Sequence, residues 1–304
     1  MIRVFTLLCR RDLDMALVCL GRLEQAWLAP VRLEIIDDGT LGTEDWERLR
    51  SAFPAAGFHP RREIRERVET GLARRPACLD YYRNEPLANK LLAVPLIAGG
   101  AFRYIDCDIL FRRPCPGLWS EDDIPVCLDE PGVYLSNTLP GWLHRSRVPL
   151  AVRLNSGLLD IPSGLFDLDR LEWFLARANP APYMNLLEQT AWASLFATRP
   201  HRRVGTATVW SNAAPFPGLI EAPAVHFLGT HKTSFSRFAS VPFAPGGNET
   251  PVRLSGRAGG AGYVLDREVL RARHRLNRAW RQSSAFRLAR LARRTLLPAS
   301  GASR

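Results

Sequence analysis

The chain has 304 residues, 46% of them apolar, which is ample for one large core or two smaller ones. No apolar run reaches the roughly eighteen residues of a membrane span, and the stretch 2–8 is too short for a secretory leader, so a cytoplasmic protein is expected. The formal charge of +11 is lopsided: ten arginines and no acidic residue follow Glu268, leaving +1 on residues 1–268.

Residues 2–9 read as a strand, and Asp12 is placed to cap the helix that follows, with apolar positions from Met15 to Trp27. A second strand over 31–36 ends in the turn Asp37-Asp38-Gly39-Thr40, and Thr43 starts a helix with acids in its first turn. Strand, helix, strand, helix predicts a parallel, doubly wound α/β sheet, whose ligands bind at the carboxyl ends of its strands. Residues 58–83 are polar and arginine-rich, with weak helical patterning and a break at Pro76, and read as a connection or an active-site flap. A short helix over 88–94 leads through Gly99-Gly100 into a strand over 103–111, Arg-Tyr-Ile-Asp-Cys-Asp-Ile-Leu-Phe.

A short strand over 124–128 is followed by a polar loop with Trp142, His144, Arg145 and Arg147, where an exposed Trp would suit a sugar and a core Trp would serve equally. The strand over 152–161 is interrupted by Asn155-Ser156-Gly157, where the backbone can approach something closely. Helices come next around 165–178 and 186–197, and then a short strand runs from Ala224 into a glycine turn. Three domain segments are expected. These are a body over 1–241, split near residue 112, a Pro/Gly-rich linker over 242–263 and a basic helical tail over 264–304.

The six cysteines form no C-x-x-C pair, so neither a zinc knuckle nor a redox dithiol is indicated. Asp106 and Asp108 lie two apart on the strand read over 103–111, so both point to one side. Paired carboxylates repel unless a cation sits between them, and oxygen ligands suit Mg²⁺ or Mn²⁺. A solvated turn explains an isolated Asp-x-Asp as well as a metal does. Two further features converge on it. His226-x-x-Gly229-x-x-Lys232 offers an imidazole ligand, a glycine that lets main chain approach a phosphate, and an ammonium. Of 41 basic residues only Lys90 and Lys232 are lysines; a lysine that persists against such an arginine bias fits a place for a compact point charge, and chance placement of two survivors is the alternative.

With these segments in order, residues 2–235 resemble the retaining glycosyltransferases of family 8, which have the GT-A fold. The resembling segments are Ile35-Ile36-Asp37-Asp38-Gly39, Asn89-Lys90-Leu91, Tyr104-Ile105-Asp106-Cys107-Asp108, Asn155-Ser156-Gly157, Glu188-Gln189 and the His226–Lys232 segment. The resemblance implies a nucleotide-sugar enzyme that moves a hexose from a UDP-sugar to a saccharide or glycolipid acceptor in surface-glycan synthesis. It implies Mn²⁺ or Mg²⁺ on Asp106, Asp108 and His226, and the diphosphate on Lys232 and the Gly229 main chain. Lys90 would contact the donor, Asn155 and Glu188 its sugar hydroxyls, and Gln189 the sugar face near the anomeric carbon. The first strand departs from the family pattern, leaving Thr6 and Asp37 as candidates for uridine. Glu188 stands where the family usually has Asp.

Two other readings stay open. Asp37-Asp38-Gly39-Thr40 also resembles the Asp-Asp-Gly-Ser segment of inverting family 2 enzymes. A non-catalytic transferase fold acting as a basic binding module would work through its tail. In that tail Ala285, Leu288, Leu291 and Ala292 share one face and Arg287, Arg290 and Arg294 another, a pattern that fits an anionic membrane surface or a packed helix with a solvated basic face. No nucleic-acid partner is expected.

Overall fold

In the computed structural model, the described residues are 2–115, 117–119, 124–129, 149–151, 153–177, 184–211, 219–228, 232, 235–244 and 252–253. The chain divides into one unit of Met1–Ala214 with Leu219–Val252, and a second of Pro215–Gly218 with Arg253–Arg304. The large sheet, the three-stranded sheet and their helices all lie in the first. The expected tail, the loop with Trp142 and most of the expected linker fall outside the described residues.

Strands β1 (Ile2–Leu8), β2 (Val31–Asp37), β3 (Gly57–His59), β4 (Phe102–Ile105), β6 (Val126–Asp129), β7 (Leu154–Ile161) and β8 (Arg202–Val204) form a seven-stranded sheet in the order β3-β2-β1-β4-β7-β6-β8. Every pairing is parallel except the two made by β7, which runs against β4 and β6. Helices cover both faces, as a doubly wound sheet requires. Alternation along β1 sends Val4 and Leu8 into one core with helices α1 (Leu13–Leu20), α2 (Leu23–Trp27) and α3 (Thr43–Ala52). Phe5 goes into the other core, with α4 (Arg61–Leu72), α5 (Pro76–Asn84), α6 (Val94–Ala98), α7 (Leu168–Arg177) and α8 (Met184–Phe196). Among the described residues no helix is long and apolar enough to cross a membrane.

Three expectations are corrected. Residues 58–83 are neither connection nor flap: α4 buries Ile64, Val68 and Leu72 at helical spacing, and α5 buries Cys78, Tyr81 and Tyr82. Pro76 starts α5 rather than breaking a helix, because a first-turn residue needs no N–H. The strand read over 103–111 is two strands in two sheets. β4 ends at Ile105, Ile109 N–H closes a turn onto Asp106 O at 3.3 Å, and β5 (Ile109–Phe111) enters a separate three-stranded sheet. There it pairs antiparallel with β10 (Ala224–His226), which pairs parallel with β9 (Val209–Ser211).

Candidate active site

The turn between β4 and β5 holds Asp106, Cys107 and Asp108 at the carboxyl edge of the large sheet. Cys107 turns into the core with Val4 and Ile105. The β5–β10 register sets His226 opposite Ile109, and Phe227 N–H donates to Asp108 O at 3.0 Å. An imidazole from far along the chain is thereby delivered to the acidic pair. His226 Nε2 lies 3.3 Å from Asp108 Oδ1 and 3.8 Å from Asp106 Oδ2. One ligand atom from each of the three residues falls within 4.8 Å of the others.

Gly157 closes the cluster from β7. Asp106 N–H donates to Gly157 O at 2.7 Å, and Asn155 Oδ1 accepts from Gly157 N–H at 2.7 Å. A Cβ on Gly157 would stand 2.6 Å from His226 Cε1 and 3.0 Å from Asp106 Oδ2. The close approach expected at this glycine is therefore made by the site's own side chains. β7 is continuous, not interrupted. The irregularity falls in its pairing with β6, where Cys127 faces Leu159 and Leu128 faces Asn155. Such a bulge leaves residues 156–158 unpaired on the β6 side, while Leu158 stays paired with Ile105 of β4.

Both lysines reach the acidic pair. Lys90, 4% exposed, sits on a π-helical turn over Asn89–Ala93. Val94 N–H there reaches back five residues to Asn89 O, and Pro95 has no N–H to give. Its Nζ donates to Asp106 at 2.9 and 3.1 Å, lies 4.6 Å from the Tyr104 ring centroid and 3.9 Å from Glu188 Oε1. Burial works against its charge, yet Asp106 and Glu188 outweigh that and raise its pKa. Lys232 Nζ lies 2.9 Å from Asp12 Oδ2 and 3.1 Å from Asp108 Oδ2. Its pKa is likewise raised, Asp108 and Asp12 overcoming the effect of burial. The Asp108 carboxyl is lowered although burial opposes it, because His226 and Lys232 favour the anion.

Glu188, in the second turn of α8, accepts from Ser156 Oγ at 3.0 Å, and burial raises its pKa against the charge of Lys90. Tyr104 donates to Asp106 Oδ1 at 2.8 Å. A cavity of about 850 Å³ opens over this floor. Its lining includes Asp106, Asp108, Lys90, Lys232, Asn155 and Gln189.

The donor set fits a hard divalent cation: two carboxylates, one imidazole, and a buried Asp108 Oδ1 that makes no hydrogen bond among the described residues, His226 Nε2 standing 3.3 Å away. Burying such an oxygen unsatisfied costs about 1–3 kcal/mol, which a cation would repay.

Two nominated residues stand apart. Thr6 is completely buried in β1, and Asp37 Oδ1 is engaged by the N–H groups of Gly39, Thr40 and Leu41 at 2.7, 3.0 and 3.2 Å. Neither lines the cavity, whereas Asp38 and Thr40 of the same turn do. Gly229 lies outside the described residues. Sequence reasoning missed Asp12, Tyr104 and Ser156 as contributors. Asp12 stands at the helix start but makes no cap with its side chain, which is committed to Arg11 and Lys232. An acid set beside Cys9 and two arginines was the available signal for it.

No family model matches the chain, and no curated protein does. Among solved structures, the chain is similar to the galactosyltransferase LgtC in complex with donor and acceptor sugar analogues. The TM-score is 0.47 and the identity 13%, over 81% of this chain and 98% of that one. It is similar to the bifunctional glycosyltransferase WbbM at TM-score 0.47 and 9% identity, spanning only 50% of that chain. Mouse xyloside xylosyltransferase 1 gives 0.47 and 12%, over 83% of this chain and 96% of that one. At these values they are likenesses of chain course.

Proposed function

We propose that the chain is a retaining, metal-dependent glycosyltransferase of the GT-A type. It moves a hexose from a UDP-sugar to a saccharide or glycolipid acceptor in surface-glycan assembly. The observation that carries this reading is the convergence of both lysines of the chain on the Asp106–Asp108–His226 cluster, with the two carboxylates and both lysines lining one cavity and His226 buried behind them. Asp106, Asp108 and His226 would hold Mn²⁺ or Mg²⁺. When bound, the ion supplies Lewis-acid stabilisation of charge on a departing diphosphate.

The chain's own groups do the rest. Lys232, partly exposed at the cavity, brings a compact positive charge to an anionic leaving group. Lys90 balances Asp106 and Glu188 from beneath and fixes both carboxylates in place. Glu188, held by Ser156, and Asn155, held by Gly157 N–H, present acceptors to sugar hydroxyls. Gln189 lines the cavity one residue further on, beside the expected anomeric carbon. The Gly229 main chain is assigned to the diphosphate.

The test is a panel of UDP-sugars assayed for hydrolysis and transfer with Mn²⁺. Turnover that disappears with chelator and in Asp108→Ala supports the reading. Turnover indifferent to both, or none with any donor, removes it. The anomeric configuration of the product separates retention from the inverting alternative.

A further inference from the structure

Lys232 is gripped by two carboxylates of different kinds. Asp108 belongs to the cation cluster. Asp12 does not: its Oδ2 lies 2.9 Å from Lys232 Nζ, across 220 residues of sequence. Asp12 is 8% exposed, and no hydrogen bond ties its side chain to the N-terminus of α1. Arg11 holds it from the other side, with Nε 3.1 Å from Oδ1 and NH2 3.0 Å from Oδ2, and Cys9 Sγ donates at 3.3 Å. This carboxylate therefore has partners besides Lys232. The glycosyltransferase reading, on which a role for Asp12 rests, needs Asp108 for a cation and Lys232 for an anionic leaving group. If Asp108 were the only partner of Lys232, the ammonium would compete with the cation for that carboxylate.

We propose that Asp12 is the positioning residue for Lys232. It keeps the ammonium at the cavity when Asp108 turns to a divalent cation, so that cation and lysine act on the diphosphate together instead of excluding each other. Asp12 is not one of the three ligand-bearing residues of the cation cluster. It acts through Lys232, and its negative charge is what matters.

The experiment uses the full chain with two probes, Mn²⁺ alone and then inorganic pyrophosphate at saturating Mn²⁺, followed by calorimetry. In Asp12→Asn the lysine falls back on Asp108. Mn²⁺ is then expected to bind about tenfold more weakly, and pyrophosphate on the Mn²⁺-loaded protein about tenfold more weakly again, the size of one charge-assisted hydrogen bond. Asp12→Glu should recover most of both, and the melting temperature of Asp12→Asn should stay within a few degrees of wild type. Wild-type affinities in Asp12→Asn overturn the proposal. So does a large loss of melting temperature shared by Asp12→Asn and Asp12→Glu, which would make Asp12 a structural fastening. A wild-type chain that binds neither probe overturns the glycosyltransferase reading itself, and the role of Asp12 with it.

Discussion

Two groups of buried charge press on glycines of the same seven-stranded sheet. One surrounds Glu34 in β2, 2% exposed, whose Oε1 takes Arg3 Nε at 2.8 Å and Arg32 Nε at 3.2 Å while Oε2 pairs with His59 Nε2 at 2.8 Å. A side chain on Gly57 would collide with Glu34 Oε2. The other is the cluster of Asp106, Asp108 and His226 against Gly157. The first is closed: each carboxylate oxygen has a hydrogen-bond partner, and none of its four residues lines the cavity. The second leaves Asp108 Oδ1 and Glu188 Oε1 buried beside that cavity without a hydrogen bond among the described residues, His226 Nε2 standing 3.3 Å from the one and Lys90 Nζ 3.9 Å from the other. Buried charge alone therefore does not mark a site. An incomplete hydrogen-bond inventory at the carboxyl edge of the sheet does.

The sharpest break of this comparison is Asp108→Asn. Turnover should fall by about 10²–10³-fold, the scale of one lost electrostatic contact to a transition state, with the melting temperature nearly unchanged. Glu34→Gln should do the reverse, costing about 1–3 kcal/mol in denaturant unfolding while kcat stays at its wild-type value.

Gly157→Ala joins the two effects. A methyl 2.6 Å from His226 Cε1 should destabilise by about 1–3 kcal/mol and abolish Mn²⁺ binding measured by calorimetry.

A smaller effect is expected with pH. Burial raises the Glu34 carboxyl, but hydrogen bonds from His59 and Arg3 outweigh it and bring it below its ordinary value. A depressed carboxylate stabilises above its unfolded pKa and loses that contribution as pH falls through its folded one. Wild type should thus lose more melting temperature than Glu34→Gln on acidification below about pH 4. Least of all, Arg48→Ala removes an exposed pair with Asp14 and should change stability by less than about 0.5 kcal/mol.

The parallel α/β framework was legible because strand and helix patterns alternate cleanly over residues 2–52. The site's charged members were legible for a compositional reason: two lysines among 39 arginines pointed at the positions that meet Asp106 and Asp108. The turn at Cys107-Asp108 was not, because β-branched and apolar residues flank it on both sides and nothing local separates one nine-residue strand from two short ones. Helix α4 showed only as weak helical patterning because its arginines dilute the apolar stripe of Ile64, Val68 and Leu72. Asp12 was read as a cap because capping is a local property, while its partner lies 220 residues away. Thr6 and Asp37 were nominated from strand-end position alone. Position along a strand does not reveal which face is core, nor that the three N–H groups of the following turn occupy a carboxylate oxygen.

The central claim is that the Asp106–Asp108–His226 cluster binds a divalent cation and, through it and Lys232, a nucleoside diphosphate. The most direct measurement is the melting temperature of wild type, Asp108→Asn and Glu34→Gln with Mn²⁺, and with Mn²⁺ plus UDP. A ligand at about a hundred times its Kd adds about 2.7 kcal/mol, a shift of several degrees for a chain of this size. The account predicts that shift in wild type and in Glu34→Gln, larger with UDP present, and none in Asp108→Asn. A shift of equal size in Asp108→Asn, or no shift in wild type, would contradict it.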